Sequence, residues 1–512
     1  MSKLCVTRVT QLTLSPPGGS ACGGLQSLSE NIPGVSDDRL SGLDASFLAL
    51  ERGPAHMHVA STLVFEGPAP DYLELKRHVA ARLDLVPRFR QRLRFVPLSQ
   101  GRPRWVDDPH FNLEYHLRHT ALPEPGSEEQ LRVLAARVFS QRLDRSKPLW
   151  ELWLVEDLDE GRFAIIGKTH HCLVDGVSGI DITTVLFDAD PDPHRAGEPR
   201  PWAPGPEPSG AELLAEALLE RLVSPGEALR AVGHLMSAPR RALSAAVDAL
   251  EAAGALARAG IAAPSSPLNV EIGPYRRFAW VRSDLAALKQ VKDELGGTVN
   301  DVVLAAVTGA LGRYLRGGGH STRDLELRAM IPISVRTADE SGVLGNRVST
   351  FMAPLPVGRR DPVERLRLIT EITADLKRSK QAVGASLLTE LADFAPPTVV
   401  GQAARLQPQQ RFFNLVVTNV PGPQFPLYLM GRRLADVFPM VPLARRQAIC
   451  VGAMSYDGRI NFGLIGDHDA VPDLELVAND LEASLAELAA AAGHPASPAS
   501  SGGIERGEPA TA

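Results

Sequence analysis

The stretch KTHHCLVDGVSG, Lys168 to Gly179, decides how this chain is read, because it sets two adjacent histidines, an aspartate and two glycines between a predicted strand and a predicted helix. Upstream, Arg162 to Thr169 (RFAIIGKT) is a mostly apolar run with Phe163 and two isoleucines, the composition of a strand buried on both faces. Downstream, Gly179 to Phe187 carries Ile180, Thr183, Val185 and Leu186 at spacings that suit a helix. The histidines therefore fall at a strand end, where a side chain faces a cavity while its backbone stays anchored.

Successive side chains of an extended backbone point to opposite faces, so His170 and His171 cannot easily serve the same site. One is expected to react and the other to pack. A neutral imidazole is a good general base near pH 7, since its unperturbed pKa is about 6.5. Asp175, four residues on, is placed either to orient an imidazole or to close the turn through a buried ion pair. Plainer readings stand beside these: a pair of histidines also forms a simple polar strand end, and Asp175 also serves as the N-cap of the next helix. Spacing alone does not choose between them.

Geometry weighs the competing chemistries. A zinc site wants histidines on one face, at helical spacing or in a spaced set with a third ligand, and adjacent histidines do not supply that, so no metal is expected. Cys172 invites a thiol nucleophile, but a sequence neighbour rarely has the geometry of a catalytic pair, and a small buried cysteine is the commoner case. Ser178 sits in GVSG, which is not the elbow of serine hydrolases. What remains is a histidine acting directly on a substrate proton.

HHCLVDG fits the HHxxxDG signature of the CoA-dependent acyltransferase superfamily, which includes chloramphenicol acetyltransferase and the condensation domains of peptide synthetases. Further blocks narrow the resemblance. LDRSKPLWELWLVEDL (Leu143 to Leu158), TVNDVVLAAVTGALGRYL (Thr298 to Leu315), PISVR (Pro332 to Arg336), Gly345 with Asn346, and NLVVTNVPGP (Asn414 to Pro423) resemble the bacterial wax ester synthase/diacylglycerol acyltransferase family in order and spacing. The resemblance runs from Leu40 to Ala490. Cys172 departs from the small or apolar residue expected inside the motif, which leaves open the reactivity of the site to thiol reagents.

That resemblance implies an α/β fold of two chloramphenicol-acetyltransferase-like sandwich domains with an active-site tunnel at their interface. It implies acyl-CoA as donor substrate, diacylglycerol or a long-chain alcohol as acceptor, and no cofactor. His171 would be the general base and His170 its support; Asp175 would pair with Arg336 across the site wall. The backbone amide near Gly176, the Thr418 hydroxyl (the family often carries Ser there), Asn419 and Asn300 are the candidates for binding the oxyanion or substrate. Two rivals remain: a condensation-type enzyme taking its acyl group from a carrier, and a non-catalytic lipid- or partner-binding homologue that would tolerate loss of His171.

Length and composition bound the rest. A chain of 512 residues is too long for one compact core, and 44% hydrophobic with 22% charged residues is the balance of a soluble globular protein. A net charge of -6 gives no electrostatic case for nucleic acid. Cys5, Cys22, Cys172 and Cys450 form no CxxC pair and no disulfide framework, which fits a reducing cytoplasm. No run of about 18 apolar residues offers a membrane span, so membrane contact is expected to be peripheral, on the inner face of the membrane or on lipid droplets. A monomer or homodimer is expected.

Along the chain, residues 1–37 read as a disordered extension rather than a signal peptide, 38–190 as an N-terminal domain, 191–267 as a proline-rich and then helical crossover, 268–492 as a C-terminal domain and 493–512 as a disordered tail. Strands are expected over His58 to Phe65, from Trp150 to Val155 and over Leu325 to Val335, and helices over Asp71 to Leu85 and Glu128 to Leu143. Arg88 to Phe95 alternates arginines with Phe89, Leu93 and Phe95, the pattern of a half-buried strand whose basic face is either solvated or meets a phosphate. Thr298 opens a long helix with Asp301 at its third position, a capping role preferred here to catalysis. Phe412 to Thr418 is expected as a strand that Thr418 and Asn419 terminate before Pro421 and Gly422. The apolar stripe of Leu213 to Val223 is expected to pack on the domains rather than rest on a membrane.

Overall fold

Strand β6 (Arg162–His170) is buried at every position after its first, as its unbroken run of apolar and β-branched residues requires, and it lies at the centre of a six-stranded sheet. It is antiparallel to β1 (His58–Phe65) on one side and β5 (Trp150–Leu158) on the other, with His58 directly opposite His170. The structure is a computed structural model and describes residues 38–51, 53–173, 186–192, 200–219, 263–334, 348–378 and 413–493. The other elements of the first half are α1 (Gly42–Leu50), α2 (Tyr72–Arg82), the ribbon β2 (Gln91–Arg94) and β3 (Arg104–Asp107), α3 (Leu113–His116), β4 (Leu117–Ala121) and α4 (Glu128–Ser140).

The second half holds β7 (Arg276–Asp284), α5 (Leu285–Leu295), α6 (Val299–Gly317), β8 (Leu327–Ser334), β9 (Val348–Leu355), α7 (Pro362–Arg378), β10 (Leu415–Pro421), β11 (Tyr428–Leu429), β12 (Arg432–Met440), β13 (Ile449–Tyr456), β14 (Arg459–Asp467) and α8 (Leu474–Ala491). The first sheet runs β11-β12-β1-β6-β5-β4 and the second β7-β14-β13-β10-β8-β9. Both are mixed, with β4 and β5 parallel in one, and β10 parallel to β8 and β13 in the other. The first sheet is thus completed by β12, a strand more than 260 positions downstream of β6, which pairs antiparallel with β1.

A shared apolar cluster joins the sheets: Val64 and Ile166 from the first and Trp280, Val416, Cys450 and Ile465 from the second, with Leu131, Ala135 and Phe139 of α4 between them. Trp280 stacks on Phe438 at 4.2 Å and 9°, and Arg282 crosses to Glu128 and Asp436 with N–O distances of 2.6 and 2.9 Å. Helix α6 is buried along most of its length against the second sheet, and Thr298 with Asp301 closes the expected capping box. Among the described residues no single helix is long and apolar enough to cross a membrane.

Two local expectations need correction. Arg88 to Phe95 is not one strand: Pro87 sets the dihedral of a 3-10 turn over Pro87–Arg90, leaving only Gln91–Arg94 extended, and Phe95 is exposed. Its arginines face carboxylates, Arg90 meeting Asp84 at 2.5 Å and Arg92 and Arg94 meeting Glu207 at 2.8 and 3.2 Å, while Arg88 lies over the Trp105 ring. Nor do Thr418 and Asn419 end β10. They pair with Gly452 and Ala453 of β13, and the strand runs on to Pro421, because a parallel neighbour on one side tolerates proline at the strand's last residue. The helical residues 210–219 place Leu213 and Ala217 against Val96 of the β2–β3 region, in keeping with the expected packing of that stripe.

Candidate active site

Strand β6 stops at His170, so the two histidines differ in kind. His170 is fully buried, and its Nδ1 accepts the Cys172 backbone N–H at 3.1 Å. A neutral ring that accepts at Nδ1 carries its proton on Nε2, and that nitrogen faces Glu51 Oε2 at 3.8 Å, an electrostatic contact beyond hydrogen-bond reach. His171 turns away from the strand. Its backbone N–H donates to Met57 O at 2.8 Å, and its ring stacks on Phe47 of α1 with centroids 4.1 Å apart and planes 23° off parallel. Its Nδ1 is buried and has no hydrogen-bond partner among the described residues.

Burial pushes the His171 imidazole below its ordinary range, with a smaller push from His170, so the ring is neutral at pH 7 and able to accept a proton. Burial likewise pushes the Cys172 thiol well above its ordinary value, and the nearby Asp44 carboxylate adds to that. A thiol so held supplies no thiolate, and the nucleophile reading loses its chemistry.

Beneath the pair lies a polar cluster that sequence reasoning did not find. Burial opposes the Glu51 charge, but the His170 and His58 imidazoles outweigh it and hold the carboxyl well below the usual carboxylate range. Arg145 binds Glu51 Oε2 through Nε at 3.0 Å and through Nη2. His58 Nε2 is 3.3 Å from Glu51 Oε1, and burial pushes that imidazole down to about 4. His56 stacks on His58 at 4.5 Å and lines an open groove of about 490 Å³ between Gly53–Pro54, Ser140 and Ile272–Pro274. The signal was present in HMH: histidines two apart on an extended run share a face, but only the β1–β6 register brings that face to His170.

Glu51, His58 and His170 offer three ligand-type atoms within 4.8 Å of one another. The set does not fit a cation. Nε2 of His170 bears the proton that its Nδ1 acceptor role dictates, and Arg145 already places a positive charge on the carboxylate.

Of the other expected site residues, Asp175, Gly176 and Arg336 lie outside the described residues, as does most of the helix expected after the motif. Asn300 sits half-buried in the first turn of α6. Its neighbour Asp301 is buried and spent on structure, accepting from Thr298 N–H and Thr373 Oγ1 at 2.8 and 2.7 Å. Thr418 and Asn419 are consecutive in β10, so their side chains point to opposite faces. There β10 has lost one neighbour: β8 pairs only with Leu415 and Val416, while β13 continues alongside to Pro421. Among the described residues no hydrogen bond or ring contact ties Asn300, Thr418 or Asn419 to His171.

Two mixed sheets joined by a late strand, with a histidine pair at the end of a buried central strand, define a fold of the chloramphenicol acetyltransferase type. The condensation domain of the calcium-dependent antibiotic synthetase shares it at 16% identity, with a TM-score of 0.54 over 90% of this chain and 98% of that one. The chain belongs to the wax ester synthase/diacylglycerol acyltransferase family: residues 40–303 match its catalytic domain and residues 344–489 its C-terminal domain. It is 36% identical over 459 residues to a Mycobacterium tuberculosis protein named probable diacylglycerol O-acyltransferase tgs1, covering 88% of this chain and 96% of that one. The wax ester synthase/diacylglycerol acyltransferase of Marinobacter aquaeolei VT8 superposes with a TM-score of 0.62 at 30% identity, over 89% of this chain and all of the other.

Proposed function

We propose that this acyltransferase moves a long-chain acyl group from acyl-CoA to the free hydroxyl of diacylglycerol, and to long-chain alcohols, with His171 as general base. The observation that carries the reading is the division of labour at the strand end: one imidazole is fully buried and locked by a backbone N–H, and its neighbour, turned off the strand, is held neutral by burial. The relatives' names support the reaction class.

His171 takes the hydroxyl proton as the acceptor oxygen attacks the thioester carbonyl, forming one C–O bond and opening the C=O to an oxyanion. The tetrahedral centre collapses, the C–S bond breaks, and the departing thiolate takes the proton back from the imidazolium. No acyl-enzyme forms. Oxyanion stabilisation falls to Thr418, Asn419, Asn300 or the backbone amide near Gly176; one preorganised donor is worth about 3–4 kcal/mol. In this reading Asp175 and Arg336 pair to hold the motif turn, and the substrates meet between the proposed domains 38–190 and 268–492. The apolar acceptor arrives from a membrane or droplet surface that the protein touches peripherally.

Purified protein, labelled long-chain acyl-CoA and a panel of diacylglycerols and alcohols, with products resolved by thin-layer chromatography, tests this directly. Labelled ester is the expected product. Acyl transfer only from carrier-loaded donors would overturn it in favour of a condensation-type enzyme, and full ester synthesis by a folded His171→Ala variant would remove the base.

A further inference from the structure

A general base is ordinarily aimed by a hydrogen bond to its far ring nitrogen. In His171 that nitrogen, Nδ1, is buried without such a partner among the described residues. The ring is held instead by a closed circuit through α1. Arg145 Nη2 donates to Leu48 O at 3.1 Å, and its Nε donates to Glu51 Oε2 at 3.0 Å, so one guanidinium grips the last turn of α1 at two points. Glu51 Oε1 accepts the Met57 N–H at 3.4 Å, Met57 O accepts the His171 N–H at 2.8 Å, and the His171 ring returns to α1 by stacking on Phe47, next to Leu48.

We propose that Phe47 and Arg145 are positioning residues for the general base, Phe47 setting the plane of the His171 ring by stacking and Arg145 fixing the helix end that carries Phe47. The proposal rests on the reading of His171 as that base. The stack aligns the ring face with a hydrocarbon surface and leaves its edge, where the lone pair lies, directed along the plane that Phe47 defines. Rotation about the side-chain bonds of His171 is then limited by contact rather than by a hydrogen bond. Phe47 also forms part of the wall that keeps water from the ring. Among the described residues the charged and titratable groups around that turn are His170 and Cys172 beside it, Asp44 from α1, Glu51 at its C-cap, Arg145 from the segment before β5, and His58 from β1.

The test compares Phe47→Leu, Phe47→Tyr, Arg145→Met and Arg145→Lys with the wild type and His171→Ala, using full-length protein, labelled acyl-CoA and diacylglycerol. Phe47→Leu is expected to lower kcat by about 10- to 100-fold, the loss that misplacement of a reacting group by roughly 1 Å brings, with KM for acyl-CoA held within about twofold. It should also move the ascending limb of the pH–kcat profile upward, toward the ordinary histidine range, as water reaches the ring. Phe47→Tyr keeps the aromatic face and should restore both. Arg145→Met should lower kcat in the same way and Arg145→Lys should recover part of it. Because Arg145→Met strands a buried carboxylate, the half-buried Phe47 carries the decision if that variant does not fold. Wild-type kcat and an unmoved limb in a folded Phe47→Leu, alongside an inactive His171→Ala, would overturn the positioning role alone. An active His171→Ala would overturn the base itself and the proposal with it.

Discussion

Adjacent histidines in one motif should answer truncation in opposite ways. His170→Ala removes a fully buried ring from the end of β6, and with it the acceptor for the Cys172 N–H and the imidazole facing Glu51. A buried donor left without a partner costs about 1–3 kcal/mol. Large-to-small truncation in a core costs about 2–5 kcal/mol, and because these contributions overlap at one site the expected sum is about 3–5 kcal/mol. His171→Ala removes a partly buried ring whose Nδ1 has no hydrogen-bond partner among the described residues, losing chiefly the stack on Phe47, which is worth about 0.5–1.5 kcal/mol. Its kinetic cost is the general-base contribution, about 100- to 10,000-fold in kcat, or roughly 3–5 kcal/mol in the barrier. Urea unfolding midpoints read the first effect, and initial rates with labelled acyl-CoA and diacylglycerol, normalised to folded protein, read the second. If His171→Ala unfolds the protein while His170→Ala leaves its stability intact, the roles have been assigned to the wrong rings.

The remaining predictions concern single groups. Since burial lowers the His171 pKa, protonation silences the base only below the ordinary histidine range, so kcat should stay flat from pH 8 down through about 6.5 and fall below that; a decline already starting above pH 7 would contradict the burial. Cys172, buried and with its thiol pushed up, should resist iodoacetamide at neutral pH in the native protein and react only after unfolding, which peptide mass spectrometry at that residue would show. Asp301→Ala strips the cap of α6 and the partner of the Thr373 hydroxyl; it should cost about 2–4 kcal/mol of stability while folded enzyme keeps its KM for acyl-CoA. Because Thr418 and Asn419 face opposite sides of β10, Thr418→Val and Asn419→Leu should differ: one should lower kcat about 100-fold or more, as loss of an oxyanion donor does, and the other should leave it near wild type. Equal losses would mean that neither residue reaches the oxyanion through its side chain.

How far the molecule was legible from its residues follows from the range of the forces involved. Strands β1 and β6 and helices α2 and α4 announced themselves because apolar periodicity acts within a few residues along the chain, and the structure adds the caps at Asp71 and Ser127. Asp301 was read correctly for the same reason, its partner Thr298 lying three positions away. The arginine run failed because alternation alone cannot see that Pro87 bends the chain, or that Glu207, over a hundred residues on, supplies the counter-charge. β12 entering the first sheet, and β8 leaving β10 at Val416, are tertiary facts without a local signature.

The histidine pair shows where local reasoning ends and register takes over. Alternation was the ground for setting His170 apart from His171, but in the structure β6 ends at His170 and His171 lies in the turn beyond, and alternation said nothing about what either one meets. The antiparallel register of β1 sets His58 against His170, and the turn after α1 brings Glu51 to both, so the ring that packs sits over a charged cluster rather than in an apolar core. That arrangement also bears on His171, the proposed base. Because Glu51 is tied by Arg145 and by the Met57 N–H, the backbone segment whose carbonyl receives the His171 N–H is fixed by the same carboxylate that His170 faces. The two imidazoles therefore share one anchor although they share no face, and a change at Glu51 should disturb His170 and the proposed base His171 together.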